Sequence, residues 1–270
     1  MLALQSQVEA HGDIHLAIAE VTRQLATDPD NPELYFQRGQ FYRQDGDFAH
    51  AKADFLKARQ LEPDLVAADL ELANLHLEHN QLDSAYRYIQ RFMLAAPDHV
   101  SGRFTRSLIL IAMDRTPEAM NDIATGIEML REPRPAHFLL AARTTLLIDS
   151  SRIDEAFGWL EYGEEILGPS IVLTEKHIEL ATLTGAFDRA LARIDQVLLD
   201  FPRAEKWEFK KADILEQMGA FDRARAHYER CLEAIRQLPP RHRYTRAMTG
   251  LAAAALSGRD RMAARTTGKH

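Results

Sequence analysis

The chain has 270 residues, 46% hydrophobic and 27% charged, with a net charge of −7. That balance argues against a general nucleic-acid binder, which needs a basic face. Cys231 is the only cysteine, so an intramolecular disulfide and a Cys-rich zinc site are excluded, and no run of about 18 apolar residues predicts a transmembrane helix.

An alanine column organises the chain. Ala17, Ala51, Ala85, Ala119, Ala156, Ala190 and Ala224 follow one another at spacings of 34, 34, 34, 37, 34 and 34 residues. A fixed period of this length marks a repeat array. Four residues after each alanine stands a large apolar residue: Val21, Phe55, Ile89, Ile123, Leu160, Ile194 and Tyr228. One helical turn separates the two columns, so they share a face.

Three residues before the alanine come Ile14, Phe48, Leu82, Thr116, Ile153, Phe187 and Phe221, read as plugs at the start of each second helix. Five before it come Gly12, Gly46, Asn80, Asp114, Ser151, Gly185 and Gly219, which are turn formers. Twelve before it the first helix offers small residues, Gly39, Ala73, Ser107, Thr144 and Ala212, a column broken by Ile178. Pro29, Pro63, Pro97 and Pro202 stop second helices, as do Pro133, Pro169 and Pro239 slightly later.

Residues 1–30 form a trimmed or degenerate first unit, either a natural half-cap or a start after a removed leader. Six helix pairs follow at 31–64, 65–98, 99–134, 135–169, 170–203 and 204–240, and the loop Glu132–Pro135 absorbs the longer spacing. A capping helix is expected at 241–257 and a disordered basic tail at 258–270. Residues 1–20 carry no secretory leader pattern, which leaves a cytoplasmic chain and an exported one with its leader trimmed equally open.

The segment Tyr35…Gly39…Tyr42…Gly46…Phe48…Ala51…Phe55…Ala58…Pro63 resembles the tetratricopeptide repeat, nearly complete. Residues 66–97, 171–202 and 205–236 resemble it through the same columns, and 100–134 and 137–169 more weakly. The resemblance implies an all-α fold, a right-handed α-solenoid of helix-turn-helix pairs with a C-terminal capping helix. It also implies that the first helices line a concave groove. Arg38, Arg106, Arg143 and Lys211 stand where the family prefers leucine, and are read as stems on apolar surface with the charge outside.

In the family geometry the groove residues are Phe36, Gln40 and Arg43; Leu70, Asn74 and Leu77; Phe104, Leu108 and Ile111; Phe138, Thr145 and Ile148; then Glu175, Glu179, Lys206 and Phe209. The middle is apolar and the C-terminal part charged, which suits an amphipathic helix or extended peptide; the competing reading is that the stripe packs on the chain's own helices. A carboxylate clamp of the chaperone-tail type would use Asn74, Lys206 and Lys210. It is incomplete, since Phe36, Leu70 and Glu175 occupy its lysine places.

No phosphate-binding glycine loop, His-Glu-x-x-His or Gly-x-Ser-x-Gly occurs. In His76-Leu77-Glu78-His79 the first histidine faces the core, so the pair is not read as a metal site. No catalytic residue, cofactor or metal is therefore expected. The expected function is a non-enzymatic scaffold or adaptor for a protein or peptide, with self-association through the groove or the last helix as the second reading.

Overall fold

The computed structural model describes residues 2–200 and 203–267. The chain divides into two compact units, residues 1–152 and 153–270. Among the described residues every regular element is a helix. The N-terminal unit holds α1 (Leu2–Thr27), α2 (Pro32–Asp45), α3 (Phe48–Leu61), α4 (Val66–Glu78), α5 (Leu82–Ala95), α6 (Val100–Ala112), α7 (Thr116–Met129) and α8 (Pro135–Ile148). The C-terminal unit holds α9 (Ile153–Leu167), α10 (Ile171–Leu183), α11 (Phe187–Asp200), α12 (Glu205–Gln217), α13 (Phe221–Gln237), α14 (Pro240–Arg243) and α15 (Arg246–Thr267). Within each unit helices pack chiefly on their neighbours in sequence, and α2, α4 and α6 also touch in succession. The unit boundary falls inside the pair at 135–169, between α8 and α9.

The columns account for this packing. The alanines from Ala51 to Ala224 are all fully buried, and so are the apolar residues four places on, from Phe55 to Tyr228. Each plug residue from Phe48 to Phe221 is the first residue of its second helix. Gly46, Asn80, Asp114, Gly185 and Gly219 all have positive φ, the backbone that ends a helix and turns the chain back. Asn31 caps α2, its side chain accepting from the N–H of Glu33 and Leu34, with Pro32 in the first turn. Helices α1, α3, α5, α7, α9 and α13 end just before Pro29, Pro63, Pro97, Pro133, Pro169 and Pro239. Pro202 lies outside the described residues.

The structure corrects three expectations. Gly12 makes no turn, because α1 runs from Leu2 to Thr27 as one helix. A helical glycine costs only about 1 kcal/mol, and residues 2–11 are rich in helix formers. The segment 258–270, expected to be disordered, is helical to Thr267, and residues 268–270 lie outside the described residues. The capping helix is thus longer than 241–257 and is preceded by the single turn α14.

Ala255, Gly258 and Met262 form the buried stripe that carries α15 onward past the expected end. Gly258 is required there, because a Cβ would sit 2.4 Å from Cζ of Tyr228. That ring cannot retreat: Tyr228 is 1% exposed and its hydroxyl donates to Glu216 Oε2 at 2.9 Å. Arg261 bonds the same carboxylate at 2.9 Å, which pins α15 to α12. Gly258→Val is expected to destabilise the seat of α15 by about 1–3 kcal/mol through overpacking. Amide exchange along α15 would rise while α3–α5 stays protected.

Candidate functional site

In each unit the candidate site is the face formed by the first helices of its pairs. In the N-terminal unit these are α2, α4, α6 and α8, and polar bonds tie the first three together. Gln40 Nε2 donates to Glu71 Oε1 at 3.1 Å. Arg43 reaches Glu71 at 3.2 Å and Glu78 at 2.6 Å. Thr105 Oγ1 donates to Asn74 Oδ1 at 3.0 Å. Three residues expected to face a partner, Gln40, Arg43 and Asn74, thus also join neighbouring helices. Their partners Glu71, Glu78 and Thr105 lie outside the groove positions read from the sequence.

The apolar residues divide by burial. Phe36 is half-buried, its ring 5.8 Å from that of Phe55. Leu70 and Leu77 pack on the core around Ile89 and Phe92. Phe104 is half-buried, stacked on His137 with centroids 4.8 Å apart; burial, with Arg134 nearby, lowers the His137 pKa. Ile111 and Ile148 are half-buried.

Phe138 is fully buried, and Thr145 is 2% exposed with its hydroxyl bonded to the Ala141 carbonyl at 3.0 Å. Both are therefore core residues of the isolated chain and not free groove positions. The cause is local: Phe138 and Thr145 share the inward stripe of α8 with Ala141 and Ala142, which are also buried. Leu108 stands 44% exposed, at the position that Gln40 and Asn74 hold in the preceding pairs.

In the C-terminal unit α10 and α12 border a cleft of about 300 Å³ lined by Glu175, Ile178, Glu179, Thr182, Leu183, Phe209, Lys210, Asp213 and Ile214. Lys206 bonds Glu175 across it, and Glu179 pairs with Lys176 at 2.8 Å. Lys210 is half-buried, and burial together with the Lys206 charge lowers its pKa. Phe209 packs on Tyr228 with centroids 5.5 Å apart.

The basic residues in the leucine place are a further correction. Arg38 grips Asp54 through two bonds of 2.7 and 2.8 Å, and Arg106 grips Asp122 at 2.7 and 2.5 Å. Asp54 and Asp122 are buried. Lys211 is 8% exposed and bonds Asp195. Arg143 alone is exposed as expected. The signal was in the sequence, since both arginine–aspartate pairs are separated by 16 residues.

His76 is buried, its Nδ1 2.6 Å from Gln81 Oε1 and its ring stacked on Tyr88, whereas His79 is exposed. No three metal-ligating side chains gather among the described residues, and no described helix is long and apolar enough to cross a membrane. Cys231 is fully buried, and burial, with Glu208 and Glu205 nearby, raises its thiol to about 12.

The tetratricopeptide repeat family models match residues 32–65 and 184–239, two stretches in which the alanine, plug and turn columns are complete. The chain is a tetratricopeptide repeat protein. A tetratricopeptide repeat protein from Parabacteroides merdae is similar at 16% identity, covering 94% of this chain and 97% of that one with a TM-score of 0.57. PilF of Pseudomonas aeruginosa is similar at 15% identity over 78% of this chain and 94% of its own, TM-score 0.55. A chain of the APC/C hetero-tetramer Cut9–Hcn1 is similar at 11% identity over 91% of this chain and 46% of that one, TM-score 0.54. At such identities the likeness shows the fold alone. No curated protein sequence matches the chain.

Proposed function

We propose that this chain is a non-enzymatic scaffold whose first-helix face on α2, α4 and α6 seats an amphipathic helix or an extended peptide of a protein partner. The observation that carries this reading is Leu108. It is a leucine left 44% exposed on a face whose equivalent positions are polar and bonded. Contiguous apolar surface marks contact with another molecule, and Leu108 shares its side of α6 with the half-buried Phe104 and Ile111, one turn before and after it. The bonded rungs Gln40–Glu71, Arg43–Glu78 and Asn74–Thr105 hold that face rigid, which lowers the ordering cost of binding. In the C-terminal unit the α10–α12 cleft supplies charge of both signs, suited to orienting a partner rather than to affinity. A chain of similar fold is part of the Cut9–Hcn1 hetero-tetramer.

Affinity capture with the wild type and with Leu108→Asp tests the reading. The variant changes an exposed side chain, so its helical melting curve is expected to match the wild type. At least one captured protein is expected to fall by about tenfold, the effect of 1.4 kcal/mol. A folded variant that retains every partner at wild-type level overturns the assignment of this face.

A further inference from the structure

His177 on α10 is 3% exposed, and neither of its ring nitrogens has a hydrogen-bond partner among the described residues. Its ring lies against Phe157 of α9 with centroids 4.7 Å apart, and Arg189 of α11 stands 4.3 Å over that same phenylalanine. His76, the other buried histidine of a first helix, at least meets Gln81; the His177 nitrogens have no such partner among the described residues.

The repeat register makes the contrast sharper. His177 occupies the place, just before the small-residue column, that Arg38, Arg106 and Lys211 hold elsewhere. Each of those cations finds a carboxylate. The residue 16 places after His177, where Asp54 and Asp122 answer the arginines, is Arg193, and it is bonded to Glu164. A charged imidazole at this position would thus be buried without the counter-ion the other pairs provide.

We propose that His177 is an acid-sensitive latch on the packing of α9, α10 and α11: neutral, it seals the three helices together, and its protonation loosens them. Burial holds its pKa below the ordinary histidine value; Glu161 of α9 works against that shift and Arg189 of α11 reinforces it. The sign follows. An unfolded histidine takes its proton near pH ~6.5, whereas the folded one resists. The latch is therefore closed above that pH, and its closing constant falls by up to about tenfold for each pH unit below it, until the folded-state pKa is reached.

Amide exchange of the whole chain at pH 7.5, 6.5 and 5.5, corrected for the intrinsic pH dependence of exchange, tests this. Protection of α9–α11 is expected to fall by up to about fivefold from pH 6.5 to 5.5, while α12–α13, which carries no unpartnered buried histidine among its described residues, loses less. His177→Leu is expected to abolish the step. Equal loss in both helix sets, or a step that persists in the variant, overturns the proposal. Should the variant not fold, titration of the His177 ring proton in the wild-type chain decides. A midpoint below pH ~6 supports the latch, and one at or above ~6.5 overturns it.

Discussion

Asp122→Ala is expected to lower the unfolding free energy of the N-terminal unit by about 3–5 kcal/mol, read from the urea midpoint of the full chain. Asp122 is 1% exposed. It holds Arg106 through two bonds, and Arg103 stands 3.7 Å away. Removing the carboxylate leaves the Arg106 guanidinium, in poor contact with water, without its counter-ion, and leaves Arg103 only the exposed Asp98 at 3.8 Å. Removing the pair together has a different outcome.

The preceding repeat uses Leu72 and Tyr88 in the same two slots, with Leu72 fully buried and Tyr88 stacked on His76. The double variant Arg106→Leu with Asp122→Tyr copies that solution. The polar cleft of about 450 Å³ beside Arg106, lined by Tyr86, Gln90 and Asn121 among others, gives the new ring space. Its stability is expected to return to within about 1.5 kcal/mol of the wild type, since well-packed apolar replacements of a buried ion pair are often neutral. A double variant as unstable as Asp122→Ala would show that the ion pair, and not merely its matching, is required.

Phe138→Ala is expected to cost about 3–5 kcal/mol in the same unit, and Leu108→Ala no more than about 0.5 kcal/mol. Both residues belong to one apolar stripe in the sequence, yet Phe138 is fully buried and Leu108 is 44% exposed. Partner capture should respond in the opposite order. Leu108→Ala is expected to weaken it in a folded protein, whereas any loss with Phe138→Ala follows from the lost core.

The fold was legible because its period is carried by residues with a single physical role. Ala85 is small because a helix crosses there, and Gly46, Asn80 and Asp114 stand where the backbone turns left-handed. Such constraints act within one repeat and leave their mark at fixed spacing. The ends were less legible because they lack a neighbour to impose the pattern. Gly12 looks like the other turn glycines but sits inside α1, and Gly258 looks like a helix breaker but yields to the Tyr228 ring.

The candidate site was legible only in part. Family positions located the first-helix face, yet whether a given residue there is open depends on what the adjacent helix presents to it. Thr145 turns inward onto its own backbone, and Asn74 is taken by Thr105. The first is a contact one turn away within α8 and the second a contact 31 residues away between α6 and α4, and no local pattern distinguishes either from solvent exposure.

The alternation of Arg38–Asp54, Leu72–Tyr88 and Arg106–Asp122 also bears on how such a chain avoids miswiring. Repeats of nearly equal length can trade helices, within a molecule or between molecules, because their backbones are interchangeable. Here an exchange by one step would set a guanidinium against tyrosine, or leucine against a naked carboxylate, at a cost of several kcal/mol. The alternation acts as a parity check, letting a first helix refuse the second helix of the adjacent repeat, while repeats two steps apart carry the same pair.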